Sequence, residues 1–239
     1  MITKELNGGR IRIARTEMDY RHGNGILTSA YPLEGPGTFQ RVMGAITEGK
    51  LLRPTTAQTF SLMDFALSNP DDEQCKDIVS RVKNQWLWTA TENLWGQDDV
   101  ILYDNVDGNM PSDRASLIKR MKDGDKAVRL VKYGFKTGSQ SVSDLVANPY
   151  IIAQVGDKDV AEDVVARVAK NISKISPYVG TLNPNLTSED IHRYTEVNSY
   201  RDGARLDVDG VYYDDCGHGY ASGVLSGSAE GASQKSKEI

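Results

Sequence analysis

Apolar residues recur at helical spacing in several parts of the chain. The stripe from Phe39 to Ile46, at i, i+3, i+4 and i+7, predicts an amphipathic helix with Thr38 as its N-cap and Gly49 as its stop. Similar spacing, or a capping signal at the start of the segment, predicts further helices at 54–68, 71–86, 112–121, 141–146, 157–174 and 188–194. Helices therefore account for a large part of the expected fold.

Other segments alternate or are rich in β-branched and aromatic residues. They predict strands at 10–14, 87–95, 100–103, 127–133 and 150–155. Asp209-Gly210, between two apolar runs within residues 205–214, predicts a type I′ hairpin turn, and residues 96–99 predict a second hairpin loop. Since hairpins require antiparallel pairing and the helices are interleaved with strands, the pattern favours an α+β fold with a mixed or antiparallel sheet.

The chain has no internal repeat and no long linker that would divide it. We expect one α+β domain over residues 1–225, with 1–37 as a possible arm, and a disordered tail over 226–239, where small and polar residues dominate. No apolar run reaches the roughly 18 residues that span a bilayer, and no secretory signal is recognisable. With only two cysteines, the sequence predicts a cytoplasmic protein that does not enter the membrane.

The chain carries a formal charge of −5, and this narrows the classes of partner. Binding to a phosphate backbone requires clustered Lys and Arg, so the charge argues against general nucleic-acid binding. No P-loop, nucleophile-elbow, zincin or paired-CxxC motif occurs, and no catalytic residue is assigned. Whether the protein is an enzyme stays open at this stage.

Acidic residues cluster near the C-terminus around short turns. Carboxylate oxygens are ligands for hard divalent cations such as Mg²⁺ or Ca²⁺, and a nearby histidine adds acid–base chemistry. The candidate ligands for a divalent cation cofactor are Asp207, Asp209, Asp214, Asp215 and His218. The spacing fits neither a zinc pattern nor an EF-hand loop, and a solvated turn surface is the simpler explanation.

A second candidate site lies where a predicted strand runs into a predicted helix. Backbone N–H groups at such a junction can hold an anion, and a lysine adds positive charge. The candidate anion-binding residues are Lys136, Thr137, Gly138, Ser139 and the more distant Arg53. The aromatic cluster of Trp86, Trp88, Trp95 and Tyr103 is interpreted instead as core packing.

Several short motifs occur in a characteristic order along the chain. They are Gly35-Pro-Gly-Thr-Phe39, Leu52-Arg-Pro-x-Thr-Ala57, Trp86-Leu-Trp-x-x-Thr91, Tyr133-Gly-Phe-Lys-x-Gly138, Asn148-Pro-Tyr-x-Ile-Ala153 and Arg205-Leu-x-Val-Asp-Gly210. In this order the chain resembles a group of small, uncharacterised archaeal proteins. The resemblance implies a cytosolic protein of archaeal type and carries no activity with it.

Three functions remain open from the sequence. The first is a binding or assembly module that holds a protein partner, either another copy of itself or a different protein. The second is a metal-dependent hydrolase or transferase that uses the Asp-rich segment, and the third is a small-anion or nucleotide binder at the Lys136 loop. The first is preferred because no catalytic motif is present.

Overall fold

The structure, a computed structural model, describes residues 3–12, 17–180, 182, 190–199, 205–212 and 217–226. Its strands, β1 to β13, are Thr3–Leu6, Gly9–Arg12, Glu17–His22, Gly25–Ala30, Glu34–Gly37, Trp86–Trp95, Asp99–Asp104, Val128–Lys132, Gly138–Ser139, Tyr178–Gly180, Ile191–Asn198, Asp207–Tyr212 and Gly219–Ala221. Its helices, α1 to α8, are Phe39–Glu48, Thr56–Leu67, Glu73–Asn84, Arg114–Lys122, Val142–Ala147, Pro149–Val155, Lys158–Val160 and Ala166–Ile172. A π-helical turn, Ala161–Val165, joins the last two helices.

The strands form two sheets. β1 to β4 make a four-stranded antiparallel sheet in sequence order. The larger sheet runs β5-β13-β6-β11-β12-β10-β9, with β7 beside β6 and β8 beside β7. Most of its pairs are antiparallel, but β10 with β12 and β13 with β6 are parallel. The predicted α+β class with a mixed sheet is therefore confirmed.

Strand β6 separates two apolar clusters because successive residues of a strand point to opposite faces. Leu87 belongs to the main cluster, together with Ile78 and Val82 of α3. Trp88, the next residue, packs instead with Phe39 and Ile46 of α1. The helices α2 and α3 thus lie on one side of β6, and α1 lies on the other.

The boundaries predicted for α1 are confirmed, and a cap also fixes the start of α2. Thr38 accepts a hydrogen bond from the backbone N–H of Arg41, and Gly49 closes α1. In α2, Thr55 and Gln58 form a capping box, which moves the start of this helix two residues beyond Pro54. The predicted strands over 87–95, 100–103 and 127–133 are also confirmed, as β6, β7 and β8.

The strand predicted over 150–155 is wrong, because these residues form helix α6. A short apolar run has the same appearance in a buried strand and in a buried helix. The residues that start the helix lie just before the run: Asn148 caps the backbone N–H of Tyr150, and Pro149 occupies the first helical position. Both signals were present in the sequence.

Two further predictions near the C-terminus are wrong. The helix predicted over 188–194 is replaced from Ile191 by strand β11, while 188 and 189 lie outside the described residues. Asp209-Gly210 does not form a hairpin turn, because both residues lie within the continuous strand β12. There the ladder to β11 shifts register between Tyr194 and Glu196, so the glycine occupies a β-bulge.

The first strands lie against helix α2. Tyr20 stacks on Phe65 of α2 with ring centroids 5.7 Å apart, and Ile11 and Leu27 belong to the main apolar cluster. Near the other end of the chain, Val224 bridges both Ser29 and Leu52. The predicted tail from 226 lies outside the described residues except for Ser226 itself.

Candidate binding surface

Helices α1 and α4 both pack on the same side of the large sheet. Helix α1 covers Trp88 at one end of β6, and Leu117 of α4 packs with Leu94 and Tyr103 at the other end. Strand β11 lies beside β6 here and pairs Tyr194 with Glu92, and the side chains of His192 and Tyr194 are half-buried. Side chains of β6, β7 and β11 therefore meet in a part of the sheet that is not fully covered.

A bulge in β6 shapes this part of the sheet. Tyr194 pairs with Glu92, but the next residue of β11, Thr195, pairs with Thr89, so two residues of β6 have no partner in β11. One of them, Ala90, bonds elsewhere: its N–H donates to Pro54 O at 2.6 Å, and its carbonyl accepts from Asn105 N at 2.8 Å. The bulge thus ties β6 to the chain before α2 and to the chain after β7.

Glu92 is the centre of a polar cluster beside the bulge. Its side chain is only 4% exposed. The hydroxyl of Tyr103 donates to Oε2 at 2.9 Å, and the amide of Asn105 donates to Oε1 at 2.8 Å. His192 Nε2 lies 2.6 Å from the same Oε2 and 2.8 Å from the Tyr103 hydroxyl. The buried carboxylate therefore fixes the orientation of an imidazole that is about one-third exposed.

Burial raises the pKa of Tyr103, and the neighbouring Glu92 carboxylate raises it further. Tyr103 therefore stays protonated at neutral pH and donates to Glu92. The resulting arrangement holds His192 in place as a carboxylate–histidine pair does in many sites.

Ring contacts continue from His192 toward α1, where Phe39 also meets Trp88 edge to face at 5.9 Å. His192 meets Tyr194 edge to face at 4.9 Å, and Tyr194 stacks on Phe39 of α1 with centroids 3.7 Å apart. Trp86, at the far end, contacts both Trp88 and His218 at 6.1 Å. We call the half-buried or exposed members of this row, Trp86, His192, Tyr194 and His218, the aromatic surface. Gln40 borders it and donates a 2.9 Å hydrogen bond to the Tyr194 hydroxyl.

A buried polar network supports the strands on the opposite side of the bulge. Asn93 Oδ1 accepts from the Tyr150 hydroxyl at 3.0 Å and from Gln154 Nε2 at 2.9 Å. Asn93 Nδ2 donates to Thr195 Oγ1 at 2.6 Å. These bonds join α6, β6 and β11, and a separate bond from Trp95 Nε1 to Gly210 O at 2.7 Å joins β6 to β12. Buried polar groups paired in this way fix one arrangement of the strands.

Of the predicted metal ligands, Asp207 and Asp209 are buried in β12, and only His218 belongs to the aromatic surface. Asp207 is 1% exposed, and both of its carboxylate oxygens accept from Arg205, which also stacks over Tyr178. Asp209 is buried beside Gly180, whose Cβ, if it had one, would lie 1.5 Å from Asp209 Oδ1. Asp214 and Asp215 lie outside the described residues.

His218 is exposed and contacts Trp86, so it belongs to the aromatic surface. Within the described ranges, no three His, Cys, Asp or Glu residues converge as a metal site requires. The divalent-cation hypothesis stays a prediction, and a metal titration of the Asp214→Ala/Asp215→Ala variant tests it.

Among the predicted anion-binding residues, only the distant Arg53 lies apart from the segment 136–139. Lys136 lines an open cavity of about 420 Å³ beside Tyr133 and Asn148, and its Nζ lies 2.6 Å from Asp144 Oδ2. The short strand β9 takes Gly138 and Ser139 into the large sheet. Arg53 lies elsewhere, since its Nε donates to Thr47 Oγ1 and its guanidinium packs against Gly108. Anion binding at Lys136 stays a prediction.

Sequence reasoning missed the Glu92 cluster. Glu92, Tyr103 and His192 are separated by up to 100 residues, and residues 188–194 were predicted as helix. A strand prediction for β11 would have placed His192 and Tyr194 on one face, because i and i+2 share a face of a strand. The pairing with Glu92 depends on strand order, which no local signal gives.

No family model and no curated protein matches the chain. A solved structure described as "Accommodation of massive sequence variation in Nanoarchaeota by the C-type lectin fold" matches 86% of this chain and 100% of its own at a TM-score of 0.56. This chain has the C-type lectin fold. The two sequences are only 14% identical, so the match extends to the fold and no further. In the described part of this C-type lectin fold, no helix combines the length and apolar character that crossing a membrane requires.

Proposed function

We propose that this chain is a non-catalytic binding module whose aromatic surface holds a protein partner. The observation that carries the proposal is the continuous row of ring contacts from His192 through Tyr194, Phe39 and Trp88 to Trp86 and His218, four members of which are half-buried or exposed. Large aromatic side chains with a polar end dominate the energetics of protein interfaces.

The rigidity of the surface supports this proposal. The Tyr194 ring is held by Phe39 and its hydroxyl by Gln40, while Glu92 orients His192. Side chains that are fixed before binding lose little conformational entropy when a partner arrives. The aromatic surface therefore has the pre-organisation expected of a binding site.

The solved neighbour is described as a C-type lectin fold that accommodates massive sequence variation. We extend that description to this chain as part of the proposal. The network around Asn93, Gln154 and Tyr150 joins the strands from the buried side of the bulge. Outward side chains such as His192 and Tyr194 then determine which partner binds, while the buried network beneath them stays constant.

Selection from a displayed library of protein fragments tests this function. Fragments enriched on the wild-type protein are expected to bind the Tyr194→Ala and His192→Ala variants about 10- to 30-fold more weakly, the usual effect of truncating an interface hot spot. Ile26→Ala is the matched control, because it truncates a 51% exposed apolar side chain on β4, in the other sheet. Enriched fragments that bind all four proteins equally would refute the proposal.

A further inference from the structure

Two asparagine–glycine pairs lie at the hairpin tips of the four-stranded sheet. Asn7-Gly8 joins β1 to β2, and Asn24-Gly25 lies where the β3–β4 turn enters β4. No other Asn-Gly pair occurs in the sequence. Glycine has no Cβ to shield its backbone nitrogen, so this nitrogen can attack the side-chain carbonyl of the preceding asparagine. Both pairs are therefore candidates for a spontaneous covalent modification.

The side chains of the two asparagines are equally available. Asn7 and Asn24 are both exposed, and no group of the described ranges hydrogen-bonds to either side-chain amide. Both hairpins also have loops of the same length, because the ladders close at the pairs Leu6–Gly9 and His22–Gly25. Neither the dipeptide nor its exposure therefore distinguishes the two sites.

The backbone nitrogens differ because the two pairs occupy different positions in their turns. In a hairpin with a two-residue loop, the residue after the loop donates its N–H to the carbonyl of the residue before it. Gly25 has this position in the second hairpin, so its N–H is bound to His22 O. Gly9 has it in the first hairpin, and Gly8 lies inside the turn with a φ of 79°. Nothing in the described part of the chain accepts from Gly8 N–H, so this nitrogen is free to react.

Asn69, which follows α2, holds the first turn against the rest of the protein. Its Oδ1 accepts from Asn7 N at 2.8 Å, and its Nδ2 donates to Asn7 O at 2.9 Å. One side chain thus binds the N–H and the C=O of the same residue, which requires the normal backbone spacing between these two groups. A modification that lengthens the backbone of Asn7 removes at least one of the two bonds.

We propose that Asn7 is a site of spontaneous deamidation and isomerisation, and that the turn at Asn24 protects the second pair. Gly8 N loses its proton to water and bonds to Asn7 Cγ, while the Cγ–Nδ2 bond breaks and ammonia leaves. The product is a cyclic succinimide, which water then opens. Cleavage between Gly8 N and Asn7 Cγ gives aspartate. Cleavage between Gly8 N and the Asn7 carbonyl carbon gives isoaspartate, whose main chain runs through Cβ and Cγ.

Peptide mapping of the native protein after incubation at pH 8 in oxygen-labelled water tests the proposal. Opening of the succinimide takes up one solvent oxygen, so the label distinguishes modification during incubation from modification during digestion. Trypsin places the two asparagines on different peptides, 5–10 and 22–41. Asn7 is expected to acquire the label about five- to tenfold faster than Asn24, the factor that one backbone hydrogen bond contributes. In urea, where both turns are unfolded, the two rates are expected to agree within about twofold.

The Asn7→Asp variant is the control for the change in backbone length. It carries the same added charge as the modified protein but keeps the normal backbone, so both bonds to Asn69 can form. The isoaspartate form is expected to unfold at a lower temperature than this variant. The proposal is overturned if Asn24 of the native protein acquires the label as fast as Asn7, or if Asn7 acquires it only in urea. Equal unfolding temperatures of the isoaspartate form and Asn7→Asp would also overturn the role given to Asn69.

Discussion

Replacing Gly210 with alanine tests whether β12 passes through a bulge at Asp209-Gly210. A Cβ at Gly210 would lie 2.0 Å from the Tyr150 hydroxyl and 2.8 Å from Asn93 Nδ2, so these buried groups must move. Overpacking of a buried site costs about 1–3 kcal/mol. Displacing the Tyr150 hydroxyl also weakens its hydrogen bonds to Asn93 and Gln154, for about another 1–3 kcal/mol.

We therefore expect Gly210→Ala to lower the free energy of unfolding by about 2–6 kcal/mol, measured by urea denaturation with circular dichroism. Tyr150→Phe removes the hydroxyl that the new methyl group would contact. The double variant should then be about 1–3 kcal/mol more stable than the sum of the two single changes predicts. Gly44→Ala in α1 is the control, because a Cβ there meets nothing within 4 Å.

The double-mutant cycle separates the bulge from a hairpin turn. In a type I′ turn, alanine at the glycine position costs about 1–2 kcal/mol through its positive φ alone, and Tyr150→Phe would not change that cost. Additive effects of Gly210→Ala and Tyr150→Phe would therefore refute the packing of β12 against α6. So would a cost of Gly210→Ala no larger than that of Gly44→Ala.

Three further predictions concern buried ionisable groups. Glu92→Ala removes the acceptor shared by Tyr103 and Asn105 and should lower the free energy of unfolding by about 2–4 kcal/mol. Glu34→Ala, at an exposed position, is the control and should change the free energy of unfolding by less than about 0.5 kcal/mol. Equal effects of the two substitutions would contradict the cluster. Burial acts to raise the pKa of Asp99, but hydrogen bonds and charges from Arg114 and Lys132 outweigh it and lower that pKa below its ordinary 3.8. Asp99 therefore contributes its full stability above pH 3.8 and loses it as the pH falls through the lowered pKa. Acid unfolding of the Asp99→Asn variant should show a weaker pH dependence than that of the wild type. Burial, with Asp72 beside it, raises the pKa of the Cys75 thiol to about 12. In a Cys216→Ser background, this thiol should therefore not react with Ellman's reagent at pH 8 until the protein is unfolded. Rapid labelling of the native state would contradict this.

Local signals were sufficient for elements whose boundaries are set by adjacent residues. Thr38 and Gly49 bound α1, and Thr55 with Gln58 opens α2, because capping joins residues only a few positions apart. The same kind of signal was available at Asn148-Pro149, where the apolar run that follows was interpreted as a strand. The short apolar run is compatible with either element, whereas the cap is specific to a helix.

The roles of Gly210 and Asp207 depend on residues that lie far away in the sequence. The Asp209-Gly210 pair has the composition of a turn, but Gly210 is required because Tyr150, from α6, occupies the space of its Cβ. Asp207 has the composition of a metal ligand, but in the fold it pairs with Arg205 over the ring of Tyr178. In both cases the residue type is explained by a partner that the fold brings close.

The sequence by itself determined the α+β class, most helix positions, the strands β6 to β8, and a charge that argues against general nucleic-acid binding. These follow from periodicity, capping and composition, which act over short stretches of chain. Only the tertiary structure decided that β11 lies beside β6, and hence that His192 meets Glu92 across 100 residues. Strand order depends on which faces can be buried together, and that is a property of the whole chain.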